Sequence, residues 1–143
     1  EKDLDKFTKK INSIIKLTAD QKNKHVYIDA AMKVEDISEE MIDGIEMLKP
    51  FGQNFEKPRF GLQQFIADIP ATGNPYRGKD GETIRLVNNE GFTVLMFHGA
   101  NHFSRIEEKF EEGKEIKCIG YPSVNVFNNK VSLQFKVEEN LMF

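Results

Sequence analysis

Two histidines four residues apart, His98 and His102, form the pair whose spacing could hold a metal ion. On a helix that spacing puts both rings on one face, and with an intervening glutamate it is the zinc-protease arrangement. Here the stretch reads His-Gly-Ala-Asn-His, has no glutamate, and falls where a strand ends and a helix begins. It reads as two partly exposed loop histidines that can touch a phosphate backbone, with no metal assigned. A second grouping, Tyr76-Arg77-x-Lys79, supplies within four residues the cations that pair with phosphates and the flat ring that stacks on a base. Asp80 and Glu82 offset part of that charge. Arg59 and Arg85 stand in strand-like segments, and alternation sets Arg85 on the side opposite Ile84 and Leu86, facing solvent. Phe127 and Lys130 flank Asn128-Asn129, a natural turn dipeptide because Asn tolerates the left-handed backbone region. A Phe at a loop tip can stack on a base or fold back on the protein. Arg59, Tyr76, Arg77, Lys79, Arg85, Phe127 and Lys130 are therefore the candidate nucleic-acid contacts, and no residue is assigned a catalytic role. Cys118 lies among Ile116, Ile119 and Tyr121 and reads as a small buried apolar side chain.

The totals set bounds on these candidates. A chain of 143 residues is about one domain, or a small domain with an appendage. Hydrophobic residues at 39% and charged residues at 30% are those of a globular protein with a core, and twelve Phe with no Trp mean a core built largely on Phe, Leu, Ile and Val. One Cys permits no internal disulfide and fits a reducing cytoplasm. No run approaches the ~20 apolar residues of a membrane span. The net charge of −3 argues against strong general affinity for nucleic acid. Its distribution is uneven: residues 57–105 alone are net positive, with six basic against four acidic side chains, four of the six being Arg. The first residue is Glu, inside a charged helical pattern, which suggests a piece of something longer.

Residues 3–17 place Leu4, Phe7, Ile11, Ile14 and Ile15 at helical spacing, with Lys on the other face. Residues 25–34 read as a short strand. Residues 34–48 read as a helix capped by Asp36, with Glu39 completing a capping box and Pro50 with Gly52 ending it. Strands follow at 59–69, 82–88, 92–99, 115–127 and 130–139. Between the third and fourth, Phe103, Ile106 and Phe110 mark an acidic helix, capped by Ser104 or Asn101 and closed by Gly113, whose charge would repel DNA. Five short antiparallel strands in the order β-β-β-α-β-β are the plan of the OB-fold, a partly open Greek-key barrel, with an SH3-like barrel or a sandwich fragment as the alternatives on pattern alone. The expected architecture is mainly β with α: an OB-fold barrel over 58–143, preceded over 1–57 by an α/β segment of two helices and a short strand.

The connector "LKPFGQNFEKPRF" (48–60) resembles the Leu-x-Pro-Phe-Gly-x-Gly-Asn-Pro-x-Pro-x-Phe signature of RecJ, the bacterial single-strand-specific DNA exonuclease family. Leu48, Pro50, Phe51, Gly52, Pro58 and Phe60 match in register, while Asn54, Phe55 and Glu56 stand where the family has Gly-Asn-Pro. Upstream, "YIDAAMKVEDISEEMIDGIEM" is similar to the strand and helix that lead into that motif. Downstream, "VLMF" and "EEGKEIKCIGYPSVNVFNNKVSLQFKVEE" are similar to the end of the family's OB domain. The resemblance spans roughly residues 25–139.

It implies that residues 1–57 connect from a preceding nuclease core and that 58–143 form an OB domain binding single-stranded DNA in repair and recombination, in the cytoplasm. The family's Mn²⁺ or Mg²⁺ ions sit on an Asp-His-His core that this chain lacks, so no cofactor is expected here and the chain reads as a non-catalytic module of a 5′–3′ exonuclease. The expected partners are single-stranded DNA, the catalytic core and a single-stranded-DNA-binding protein, with no membrane. The alternative is a module that docks onto that core and makes no DNA contact of its own. Pro50 and Pro58 should stiffen the joint while Phe51 and Phe60 pin the preceding helix to the barrel.

Overall fold

The computed structural model describes residues 2–14, 26–68 and 82–142. In chain order the elements are α1 (Lys2–Ile14), β1 (Ala30–Met32), a 3-10 turn (Val34–Asp36), α2 (Glu39–Met47), β2 (Phe60–Phe65), β3 (Ile84–Val87), β4 (Thr93–Met96), a 3-10 turn (Ala100–His102), α3 (Phe103–Glu111), β5 (Ile116–Phe127) and β6 (Lys130–Met142). Each expected element has its counterpart, and β6 runs on past its expected end to Met142.

The start of α2 differs from expectation. Ser38, rather than Asp36, is its N-cap, and its hydroxyl accepts the Met41 N–H at 3.1 Å. Asp36 closes the 3-10 turn before the helix, where its carboxylate accepts the Lys33 N–H at 2.8 Å. Two capping-type side chains two residues apart divided the work. The buried side of α2 is Ile42 and Ile45.

The strand order is β1-β2-β5-β6-β4-β3 in one mixed sheet. Two features correct the expectation of five short antiparallel strands. First, β1 is part of the sheet: it pairs in parallel with β2, Ala30 to Phe60 through Met32 to Leu62. The Asp29 N–H donates to the Arg59 carbonyl and the Arg59 N–H to the Asp29 carboxylate, both at 2.8 Å, prolonging the contact. Second, β4 and β6 run parallel while β5 and β6 form an antiparallel hairpin of 12 and 13 residues. Among the described residues no ladder closes the sheet between β2 and β3, and a single bridge joins them, the Asp68 N–H to the Val87 carbonyl at 2.7 Å.

Alternation on β3, β4 and most of β5 turns apolar side chains inward. Leu62, Phe65, Ile84, Leu86, Val94, Met96, Ile116, Cys118 and Phe135 are fully buried. Ile106 of α3 belongs to the same core, as do Met32, Ile37 and the α2 residues Ile42 and Ile45. Strand curvature comes from bulges. In β2 the register shifts between Leu62 and Phe65, with Gln64 at φ +57° and its N–H bonded to the Glu115 carboxylate. In β5 the shift falls between Cys118 and Gly120. Gly120 is required there, because a Cβ would run into the Lys136 carbonyl oxygen.

Both rings of the connector reach the core, Phe60 fully and Phe51 in part, and the residues after Phe51 fold on themselves. Phe60 is buried, and Phe51 packs against the core with its ring centroid 5.8 Å from that of Phe55. Gly52 and Phe55 exchange two backbone hydrogen bonds of 2.8 and 3.1 Å, making a tight turn.

Candidate nucleic-acid interface

The outer face of the sheet carries a lateral row of side chains fixed by strand register. Arg85 lies opposite Leu95, Leu95 opposite Lys136, and Lys136 opposite Tyr121. Directly paired residues point to the same face, so these four stand side by side across β3, β4, β6 and β5. With neighbouring strands about 4.8 Å apart, the row spans roughly 14 Å. Arg85 is exposed between buried Ile84 and Leu86, as alternation required. At the β5 end, Lys57 of the connector sits over the Tyr121 ring, Nζ 3.3 Å from its centroid. Partial burial there lowers the Lys57 pKa from its ordinary value, opposed by Glu46 and Glu138 and reinforced by Lys49 and Lys136.

The same face continues along the β5–β6 hairpin as three further pairs. The Gln134 amide donates to the Ser123 hydroxyl at 3.1 Å, and Gln134 is the one buried polar side chain among the described residues. The Asn125 amide donates to the Ser132 hydroxyl at 3.4 Å. Phe127 pairs with Lys130 at the tip, where Asn128 and Asn129 take φ +49° and +57°, the left-handed values their type was expected to supply. Phe127 is 70% exposed and does not fold back on the sheet.

The candidate contacts are thus distributed unevenly. Arg85, Phe127 and Lys130 share this face. Arg59 lies at its margin, with its charge already engaged. Its Nε donates to Glu138 at 3.0–3.1 Å, Glu56 is 3.6 Å from a terminal nitrogen, and the hydrogen bond to Glu138 raises its pKa. Tyr76, Arg77 and Lys79 fall outside the described residues. The sequence reading passed over Lys136 and Tyr121, although one signal was available. In "KVSLQFK", Lys130, Ser132, Gln134 and Lys136 alternate with Val131, Leu133 and Phe135, which sets the two lysines on one face. Their placement beside Arg85 required the β4–β6 pairing, which only the tertiary structure supplies.

His98 Nδ1 lies 3.2 Å from a Glu82 carboxylate oxygen, at an exposed turn where His98 itself takes φ +54°. Among the described residues no group of three His, Cys, Asp or Glu side chains is placed to hold a metal ion. No described helix is long and apolar enough to cross a membrane. The Cys118 thiol is free and buried, and desolvation pushes its pKa up.

A mixed sheet in which the first strand of the β-β-β-α-β-β unit pairs with the fourth, the fourth with the fifth and the fifth in parallel with the third defines the OB class. The sequence agrees with the topology: residues 28–139 match the family model described as the RecJ OB domain. That match covers most of the chain, which therefore belongs to the RecJ OB domain family. No curated protein matches it.

Proposed function

We propose that this chain is the single-stranded-DNA-binding module of a RecJ-like 5′–3′ exonuclease, guiding the strand to a metal-dependent active site carried elsewhere in the enzyme. The observation that supports the reading best is the lateral row Arg85–Leu95–Lys136–Tyr121, two cations and an aromatic ring on one continuous outer face. Arg85 and Lys136 would neutralise phosphates, while Phe127 and, once Lys57 is displaced, Tyr121 would stack on bases, with stacking contributing about 1–3 kcal/mol per base. The Ser123, Asn125, Ser132 and Gln134 side chains bond largely to one another, so little remains to read base edges. The expected binding is weak and nearly sequence-independent.

A labelled oligonucleotide of about 15 nucleotides, titrated by fluorescence anisotropy at low salt, tests this. Binding that falls sharply in Arg85→Ala/Lys136→Ala supports the assignment. No binding by the unaltered chain, or indifference to the double substitution, would sink it. A second reading, docking onto the nuclease core, is favoured by the apolar surface around the connector. Tyr27, Met47, Leu48 and Phe55 are exposed there beside a cavity of about 380 Å³.

A further inference from the structure

The hairpin of β5 and β6 outruns its neighbours. β2 pairs with β5 only as far as Gly120, and β4 meets β6 only from Gln134 onward, so residues 123–133 form a two-stranded arm. One face of that arm is the polar face already described. The other carries the pairs Val124–Leu133 and Val126–Val131, with Val126 67% and Val131 55% exposed. A valine pair left in water on a projecting ribbon is a poor use of apolar surface unless something covers it.

At the base of this face β4 peels away from β6. The β3–β4 turn curls back on itself: the Asn88 carboxamide oxygen accepts the Phe92 N–H at 2.7 Å, and the Gly91 N–H donates to the Asn88 carbonyl at 3.0 Å. The edge of β6 at residues 130–133 therefore has no strand beside it among the described residues. The gap is a groove of two cavities, about 270 and 350 Å³, which share Val34, Glu35 and Glu90. Its apolar wall is Ile37, Phe92 and Leu133 in one cavity and Ile66 in the other. Its charged rim is acidic throughout: Glu35, Glu90 and Asp68, with no described Lys or Arg lining either cavity. That rim would repel a nucleic acid and attract a cationic ligand.

We propose that this groove and the valine face of the arm bind an extended segment of a partner protein in which apolar residues alternate with Lys or Arg. The segment adds to the open edge of β6 at residues 130–133, in the place β4 vacates. Its apolar side chains cover Val131, Leu133 and Phe92, and its cations meet Glu35 and Glu90. Strand addition of this kind takes affinity from main-chain hydrogen bonds and selectivity from alternate side chains. Its valines lie on the face of the arm opposite Lys130 and Lys136, so substituting them tests the site apart from nucleic-acid binding.

The test titrates the ¹⁵N-labelled chain with a nine-residue peptide alternating valine and lysine, and with its valine–glutamate counterpart. The expected result is amide shifts concentrated at residues 90–92 and 130–133 with the lysine peptide and none with the glutamate peptide. Glu35→Gln/Glu90→Gln should weaken binding about fivefold, from two exposed ion pairs. Val126→Ser/Val131→Ser should weaken it about tenfold, from lost apolar burial. Both variants alter exposed side chains, and oligonucleotide affinity measured on the same samples should be unchanged. Equal binding of the two peptides, shifts mapping elsewhere, or no binding would overturn the proposal. So would a dimer in sedimentation that Val131→Ser dissolves, since the occupant would then be a second copy of this chain.

Discussion

Salt dependence counts the cations that a nucleic acid neutralises, and the outer face gives a number to test. Arg85, Lys136 and Lys130 point from it with no ion pair among the described residues, whereas Arg59 is held by Glu138 and Glu56, and Lys57 lies on the Tyr121 ring. Three phosphate contacts on a single strand give a slope of log K against log salt of about −2.1, so affinity should drop about 18-fold between roughly 50 and 200 mM salt. Arg85→Ala/Lys136→Ala leaves one of the three, a slope of about −0.7 and a loss of only about 2.6-fold over the same range. Any contribution from Arg77 and Lys79 adds to both slopes alike, so the difference of about 1.4 is the diagnostic quantity. Anisotropy titrations at four or five salt concentrations measure it. Parallel lines for the two chains would refute the placement of the strand on this face, however tightly either one bound.

Other outcomes follow from the packing. Phe51→Ala, which removes a partly buried ring and its contact with Phe55, should destabilise the fold by about 2 kcal/mol and lower the thermal midpoint by roughly 7 °C. A midpoint that does not move would dissolve the role given to that ring. Gly120→Ala should abolish cooperative folding, because the new methyl meets the Lys136 backbone, and native-like circular dichroism would contradict the geometry. Burial raises the Cys118 pKa above its ordinary 9.0, so the folded state holds its proton where the unfolded chain releases it. That contribution is full below pH 9 and is lost as the pH rises above it, by about 1.4 kcal/mol per pH unit. Urea midpoints of Cys118→Ala against the unaltered chain should show the lost alkaline dependence, and a thiol reagent should label Cys118 only on unfolding.

Local pattern carried much of the fold. Period-two alternation in "TIRLV" and "KVSLQFKV" placed buried Leu86 and Phe135 and exposed Arg85, because a strand's faces are set by its own sequence. The Asn128-Asn129 turn was legible for the same reason. What stayed hidden involved partners distant in the chain. Whether residues 30–32 form a free strand or join β2 depends on an edge thirty residues away, and the sequence near Ala30 does not mention it. Lys136 and Arg85 become neighbours through Leu95, on a strand that follows β3 directly but lies far from Lys136 in sequence. The site was therefore half readable: single residues such as Arg85 and Phe127 were found, but the row that gives them company was not. At Ser38 the difficulty was competition, since Asp36 is an equally good cap and only the 3-10 turn decides between them.

Strand β1 has a consequence for how such a unit can travel between proteins. Because Ala30–Met32 covers the flank of β2, and Met32, Ile37, Ile42 and Ile45 complete the floor beneath it, a chain cut at Pro58 leaves behind part of its own interior. The severed piece would present a bare strand margin, the kind of surface along which sheets stack into aggregates. The portable cassette, the stretch that gene fusion could move intact, begins before β1.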